Sequence, residues 1–202
     1  YIQDYYHASD LAKEAVTQPE QGITVTSFPN NRIIFAPENP RAGMIFYPGG
    51  KVQYEAYAPL MEACAKQGIL CILLQMPGNL AVLDINAAEG IPEDYPDIEN
   101  WYIAGHSLGG SMAASYISSH EKGYKGLILL AAYSTADLKE KGLDVLSIYG
   151  SQDGVLKMDS YEKYRSNLPE KFTEIVIPGG CHAYFGSYGA QKGDGTPEIS
   201  NE

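Results

Sequence analysis

Gly105-His106-Ser107-Leu108-Gly109 stands between a short apolar run, residues 101–104, and a helical pattern rich in Ala and Ser, residues 108–120. No other feature narrows the folding options of this chain so far. A serine at a strand-to-helix junction, with glycine two positions before and two after, fits a turn too tight for side chains at those two places. Such a turn lifts Oγ above the edge of a sheet and sets it at a helix N-terminus, where the macrodipole favours negative charge. A pattern with three fixed positions arises by chance in many chains. Its placement directly after an apolar strand and directly before a helix is the context the motif demands.

The rest of the chain fits the architecture that this junction implies. Apolar strand patterns alternate with helical ones, which predicts an α/β fold with a mainly parallel sheet. Residues 23–27 and 32–36 read as an opening hairpin turned at Pro29-Asn30-Asn31. Strands are predicted at 43–47, 68–75, 101–104, 126–132, 143–149 and 172–177, and helices at 54–67, 80–88, 108–120 and near 160–168. The continuous apolar run Gly-Ile-Leu-Cys-Ile-Leu-Leu-Gln at 68–75 is that of a central strand covered on both faces. No internal repeat or low-complexity linker divides the 202 residues, so one domain is expected, with residues 1–20 an N-terminal extension and 187–202 a flexible tail.

Composition excludes some functions. Fourteen basic against 25 acidic residues give a formal charge of −11, which repels nucleic acid backbones and anionic lipid. The 16 tyrosines are read as amphipathic rings at the edge of the core. Cys64, Cys71 and Cys181 fit no zinc spacing, and the first two fall in predicted apolar elements where a thiol packs as a small hydrophobe. No stretch is long and apolar enough to span a bilayer. The first residue is Tyr1 rather than Met, which leads to the expectation that a preceding segment has been removed.

A serine hydroxyl needs a base, and in this architecture the acid and then the histidine follow the serine in the chain. His7 and His106 precede Ser107. His120 ends the helix that starts at the serine, more than about a dozen Å away, and is read as complementing the helix dipole. His182 follows the last strand through Pro178-Gly179-Gly180, at the carboxyl edge of the sheet where reactive groups collect. It is the candidate general base. Asp153, in Gly150-Ser151-Gln152-Asp153-Gly154 after the 143–149 strand, is the candidate acid that orients it. Asp144 enters that strand at the wrong end, and Asp137 and Asp159 lie in helical or exposed stretches. The oxyanion donors are expected to be the Leu108 N–H and the N–H of Gly50 or Lys51, in the loop Tyr47-Pro-Gly-Gly-Lys.

From residue 23 to residue 196 the chain resembles the small bacterial, dienelactone-hydrolase-like branch of the α/β-hydrolase superfamily. The carriers are Tyr47-Pro-Gly-Gly-Lys-Val, Pro77-Gly-Asn-Leu-Ala-Val-Leu-Asp, Gly105-His-Ser-Leu-Gly-Gly, Tyr149-Gly-Ser-Gln-Asp-Gly-Val and the long run His182-Ala-Tyr-Phe-Gly-Ser-Tyr-Gly-Ala-Gln-Lys-Gly-Asp-Gly. The resemblance implies an α/β-hydrolase fold with helices on both faces of the sheet and a catalytic triad at Ser107, Asp153 and His182. It also implies an N-terminal hydrophobic anchor and a location outside the cytoplasm of a Gram-positive bacterium. Two departures stand out. Dienelactone hydrolases use cysteine where this chain has Ser107, so their lactone specificity is not carried over. The closing helix expected after the histidine loop finds no apolar periodicity in residues 186–202.

About ten residues separate the 126–132 and 143–149 strands, which leaves little room for a helical cap. The expectation is an open site for a small-molecule acyl substrate, with an ester cleaved through a covalent acyl-enzyme and no metal or organic cofactor. Transfer to an alcohol or amine, peptide cleavage, and a non-catalytic binding protein on the same fold are the alternatives.

Overall fold

The computed structural model describes residues 4–201, so residues 1–3 and 202 of the expected extension and tail lie outside it. Alternation dictates the centre of the molecule. In β4 (Ile69–Leu74), Leu70, Ile72 and Leu74 face one buried cluster while Cys71 and Leu73 face the other. In β3 (Ala42–Tyr47), Ile45 and Tyr47 join the first cluster and Met44 and Phe46 the second. A strand apolar at every position is stable only with both faces covered, which places these strands inside the sheet.

The remaining strands are β1 (Ile23–Phe28), β2 (Arg32–Pro37), β5 (Trp101–His106), β6 (Tyr124–Leu130), β7 (Asp144–Gly150) and β8 (Thr173–Ile177). Their spatial order is β1-β2-β4-β3-β5-β6-β7-β8. The first two neighbouring pairs are antiparallel and all later ones parallel. This is the mostly parallel α/β-hydrolase sheet that the sequence predicts. Helices α1 (Asp10–Thr17) and α2 (Ala58–Lys66) cover one face. Helix α3 (Leu108–Ile117) covers the other, together with irregular chain from 81–98. Helix α4 (Met158–Arg165) joins that side, its Tyr161 hydroxyl 2.8 Å from Ser147 Oγ of β7. No helix is found between β6 and β7, so the open edge of the sheet carries no cap there.

Four local expectations are corrected. The helix expected over 54–67 is a 3-10 turn, Tyr54–Tyr57, followed by α2, because Pro59 enters at the first helical turn. The helix expected over 80–88 is instead a 3-10 turn at Ala81–Leu83, bounded by extended or irregular backbone at Leu80 and Asp84. The N-terminal extension contains α1, capped by the Ser9 side chain. Only Ala12 and Ala15 of this helix are buried, too weak an apolar signal to announce it. The tail has no closing helix among its described residues, yet it does not hang free: Tyr188 is buried and Glu198 N–H donates to the Gly179 carbonyl at 2.8 Å.

Candidate active site

Strand β5 ends at His106 and α3 begins at Leu108, so a single residue makes the turn. That residue is Ser107, with φ 53° and ψ −124°, a conformation that costs a non-glycine residue on the order of 1–3 kcal/mol. The surroundings leave it no alternative. Ser107 N–H is tied to the Leu130 carbonyl of β6 at 2.9 Å, and a Cβ on Gly109 would strike the Pro48 and Tyr47 carbonyl oxygens. The strained turn persists because the glycine lets α3 press against the neighbouring loop.

Asp153 and His182 lie in the loops that follow β7 and β8. His182 Nδ1 is 2.8 Å from Asp153 Oδ2, and both side chains are 1% exposed. The carboxylate accepts, so Nδ1 carries a proton. Asp153 Oδ1 accepts the N–H groups of Val155 and Leu156, each at 2.8 Å, which fixes the orientation of the carboxylate. His182 Nε2 is buried and, among the described residues, has no hydrogen-bond partner. Ser107 and His182 line one pocket of about 220 Å³, walled by Leu108, Ala132, Val155 and Leu156, with no hydrogen bond made between the two catalytic candidates. Such bonds are commonly long in empty sites and shorten when substrate is bound.

Of the two residues expected to donate from the oxyanion loop, one is engaged elsewhere. Lys51 N–H donates to the Asn79 carbonyl at 2.8 Å, which removes it from the pair of alternatives. Gly50 N–H has no partner among the described residues, and Gly50 sits against the Leu108 side chain, where an added Cβ would come within 3.0 Å of Leu108 Cδ2. Leu108 N–H is in the first turn of α3, where backbone donors have no intrahelical acceptor. Gly50 and Leu108 thus both keep a backbone N–H without an acceptor among the described residues, as the expected oxyanion donors require.

Two groups missed in the sequence stand behind these residues. The Tyr57 hydroxyl accepts Gly49 N–H at 3.0 Å and shares a hydrogen bond with His106 Nδ1 at 2.8 Å. His106 is 1% exposed, and its Nε2 is buried without a hydrogen-bond partner among the described residues. Burial, then the neighbouring His182, hold its pKa well below 6.5. The x position of the G-x-S-x-G pattern was the signal, but nothing in the sequence pointed to Tyr57. Asp194, the second unforeseen group, lies in the tail and accepts backbone N–H groups from both the acid and the base loops. Its signal was the run Gly193-Asp194-Gly195.

His120 stacks on Tyr116 at 4.2 Å at the far end of α3, as its place in the sequence suggested. Cys64, Cys71 and Cys181 are free thiols. Among the described residues no group of three or more His, Cys, Asp or Glu side chains is placed to hold a metal ion, and no helix is long and apolar enough to cross a membrane.

Residues 43–202 match the model of the family described as "Alpha/beta hydrolase family". A proline iminopeptidase of Elizabethkingia meningoseptica is 27% identical over 84 residues, which is 42% of this chain and only 28% of that protein. Among solved structures, a monoacylglycerol lipase of Paleococcus ferrophilus superposes with a TM-score of 0.63 at 13% identity, covering 80% of this chain and 91% of that one. A carboxyl esterase of Bacillus coagulans superposes with a TM-score of 0.61 at 14% identity, covering 80% and 91%. At these identities the two structures speak for the fold alone.

Proposed function

The chain belongs to the alpha/beta hydrolase family, and from that premise we propose that it is a serine hydrolase that cleaves a small carboxylic ester or related acyl bond. One observation carries the proposal: His182, with Nδ1 engaged by Asp153 and Nε2 buried without a hydrogen-bond partner among the described residues, lines the same pocket as a serine held on a strained elbow. His182 Nε2 takes the Ser107 proton while Oγ attacks the acyl carbon. The tetrahedral oxyanion is held by the N–H groups of Leu108 and Gly50. Collapse expels the alcohol, which takes the proton from Nε2. A water activated by the same nitrogen then releases the acid and restores the serine.

A pocket of about 220 Å³ lies below the roughly 300–1,000 Å³ usual for drug-sized ligands, which supports a short acyl group. The test is a series of p-nitrophenyl esters from acetate to dodecanoate, assayed with and without a competing alcohol. Turnover is expected to peak at the short esters and to yield free acid. A product dominated by the ester of the added alcohol would move the assignment to acyl transfer. The partial likeness to a proline iminopeptidase favours peptide cleavage as the second reading, which proline p-nitroanilide tests in the same assay.

A further inference from the structure

We infer that Asp194, in the C-terminal tail, is a positioning residue that sets the distance between the acid loop and the base loop of the candidate triad. Its Oδ1 accepts Gly154 N–H at 3.1 Å and His182 N–H at 3.0 Å, and Oδ2 accepts Ala183 N–H at 2.8 Å. A fourth donor, Gly195 N–H at 2.8 Å, orients the carboxylate from its own segment. Gly154 is the neighbour of Asp153, and His182 is bound directly. One side chain therefore spans both loops.

Glu198 also touches both loops, but at Gly179 and the Gln152 side chain, short of Asp153 and His182. The ladder between the two loops ends with Gln152 N–H donating to the Gly180 carbonyl at 2.8 Å. Beyond it, among the described residues, the loops are joined only by the Asp153–His182 bond and by Asp194. The contact is close: a Cβ on Gly154 would lie 2.6 Å from the Gly193 carbonyl oxygen and 3.0 Å from the Asp194 carbonyl carbon. Burial alone would raise the Asp194 pKa, but the N–H groups of Ala183, Gly154, His182 and Gly195 outweigh it and hold the group ionised. A charged acceptor for four backbone donors forms stronger bonds than a neutral one.

The tail does not depend on this carboxylate for its seat. Glu198 N–H reaches the Gly179 carbonyl at 2.8 Å, the Gln152 side chain reaches Glu198 Oε1 at 3.2 Å, and Lys192 N–H reaches the Tyr6 hydroxyl at 3.1 Å. Asp194 is also absent from the lining of the Ser107 pocket. Its removal is therefore expected to misplace His182 while leaving both the fold and the substrate pocket in place.

This inference rests on the serine-hydrolase proposal, and the experiment separates the two. Wild type, Asp194→Asn, Asp194→Ala and Glu198→Gln are compared by thermal unfolding, by short-chain p-nitrophenyl ester kinetics and by the proton NMR signal of the His182 Nδ1–H bond. The expected result is a fall in kcat of about 10²-fold in Asp194→Ala with KM within about twofold, since a misplacement near 1 Å has that scale of effect. The Nδ1–H signal is lost or broadened in that variant. Asp194→Asn, which keeps the shape and one acceptor oxygen, is partly restored, and Glu198→Gln matches wild type. If folded Asp194→Asn and Asp194→Ala keep wild-type kcat and an unchanged Nδ1–H signal, or lose stability alone, the positioning role is overturned. A wild type that turns over no ester points instead to failure of the hydrolase proposal.

Discussion

The ring of His106 lies against the ring of His182, with centroids 4.5 Å apart and planes inclined by 46°. Residue 106 is thus more than a spacer in the elbow. It backs the candidate base and, through Tyr57, connects it to the loop that carries Gly50.

That contact makes stability depend on pH in a defined window. His106 in the folded protein has a pKa well below 6.5, chiefly through burial and then through His182. The unfolded chain therefore binds a proton below about pH 6.5 that the folded protein refuses. The stability that neutral His106 allows is complete above that pH and falls as pH drops from 6.5 towards the folded value, at a slope of up to roughly 1.4 kcal/mol per unit. Urea unfolding across pH 7 to 5 should show this slope in wild type and a flatter one in His106→Asn. Asp194, held below 3.8 by the backbone N–H groups around it, contributes in the same direction as pH falls below about 3.8.

Tyr57→Phe removes one oxygen and strands two buried partners, Gly49 N–H and His106 Nδ1. A loss of about 2 kcal/mol in unfolding free energy is expected. Because Gly49 precedes the candidate oxyanion donor Gly50, kcat should also fall, by about tenfold.

Gly109→Ala places a methyl against the Pro48 and Tyr47 carbonyls, which are backbone and cannot yield as a flexible side chain would. The expected cost is about 3 kcal/mol or more, read as a fall in the unfolding midpoint or as insoluble protein.

The two histidines that follow the serine should separate cleanly. His182→Ala is expected to lower ester hydrolysis at least about 10⁴-fold. His120, bonded through Nδ1 to the Tyr116 carbonyl at 2.8 Å and stacked on the Tyr116 ring, serves the end of α3. His120→Ala should keep kcat within about twofold of wild type.

Strong local signals made much of this legible. The doubly apolar β3 and β4 and the glycine-bounded Ser107 each have few structural solutions, and the order serine, acid, histidine follows from the crossovers of a parallel sheet. The illegible parts rest on contacts between distant segments. Helix α1 buries only alanines and is held by Ser9, whose Oγ is 2.6 Å from Ser187 Oγ. The engagement of Lys51 N–H by the Asn79 carbonyl could not be read from either segment alone. Asp194 acts through backbone donors, which leave no residue pattern in the segments they come from.

If Ser107 is a nucleophile activated by His182, it reacts covalently with a fluorophosphonate. Peptide mass mapping of the wild-type protein should find one adduct, on Ser107, and that adduct should be absent from Ser107→Ala and from His182→Ala. A folded wild-type protein that takes up no label at Ser107, or a His182→Ala variant labelled at the wild-type rate, would contradict that assignment.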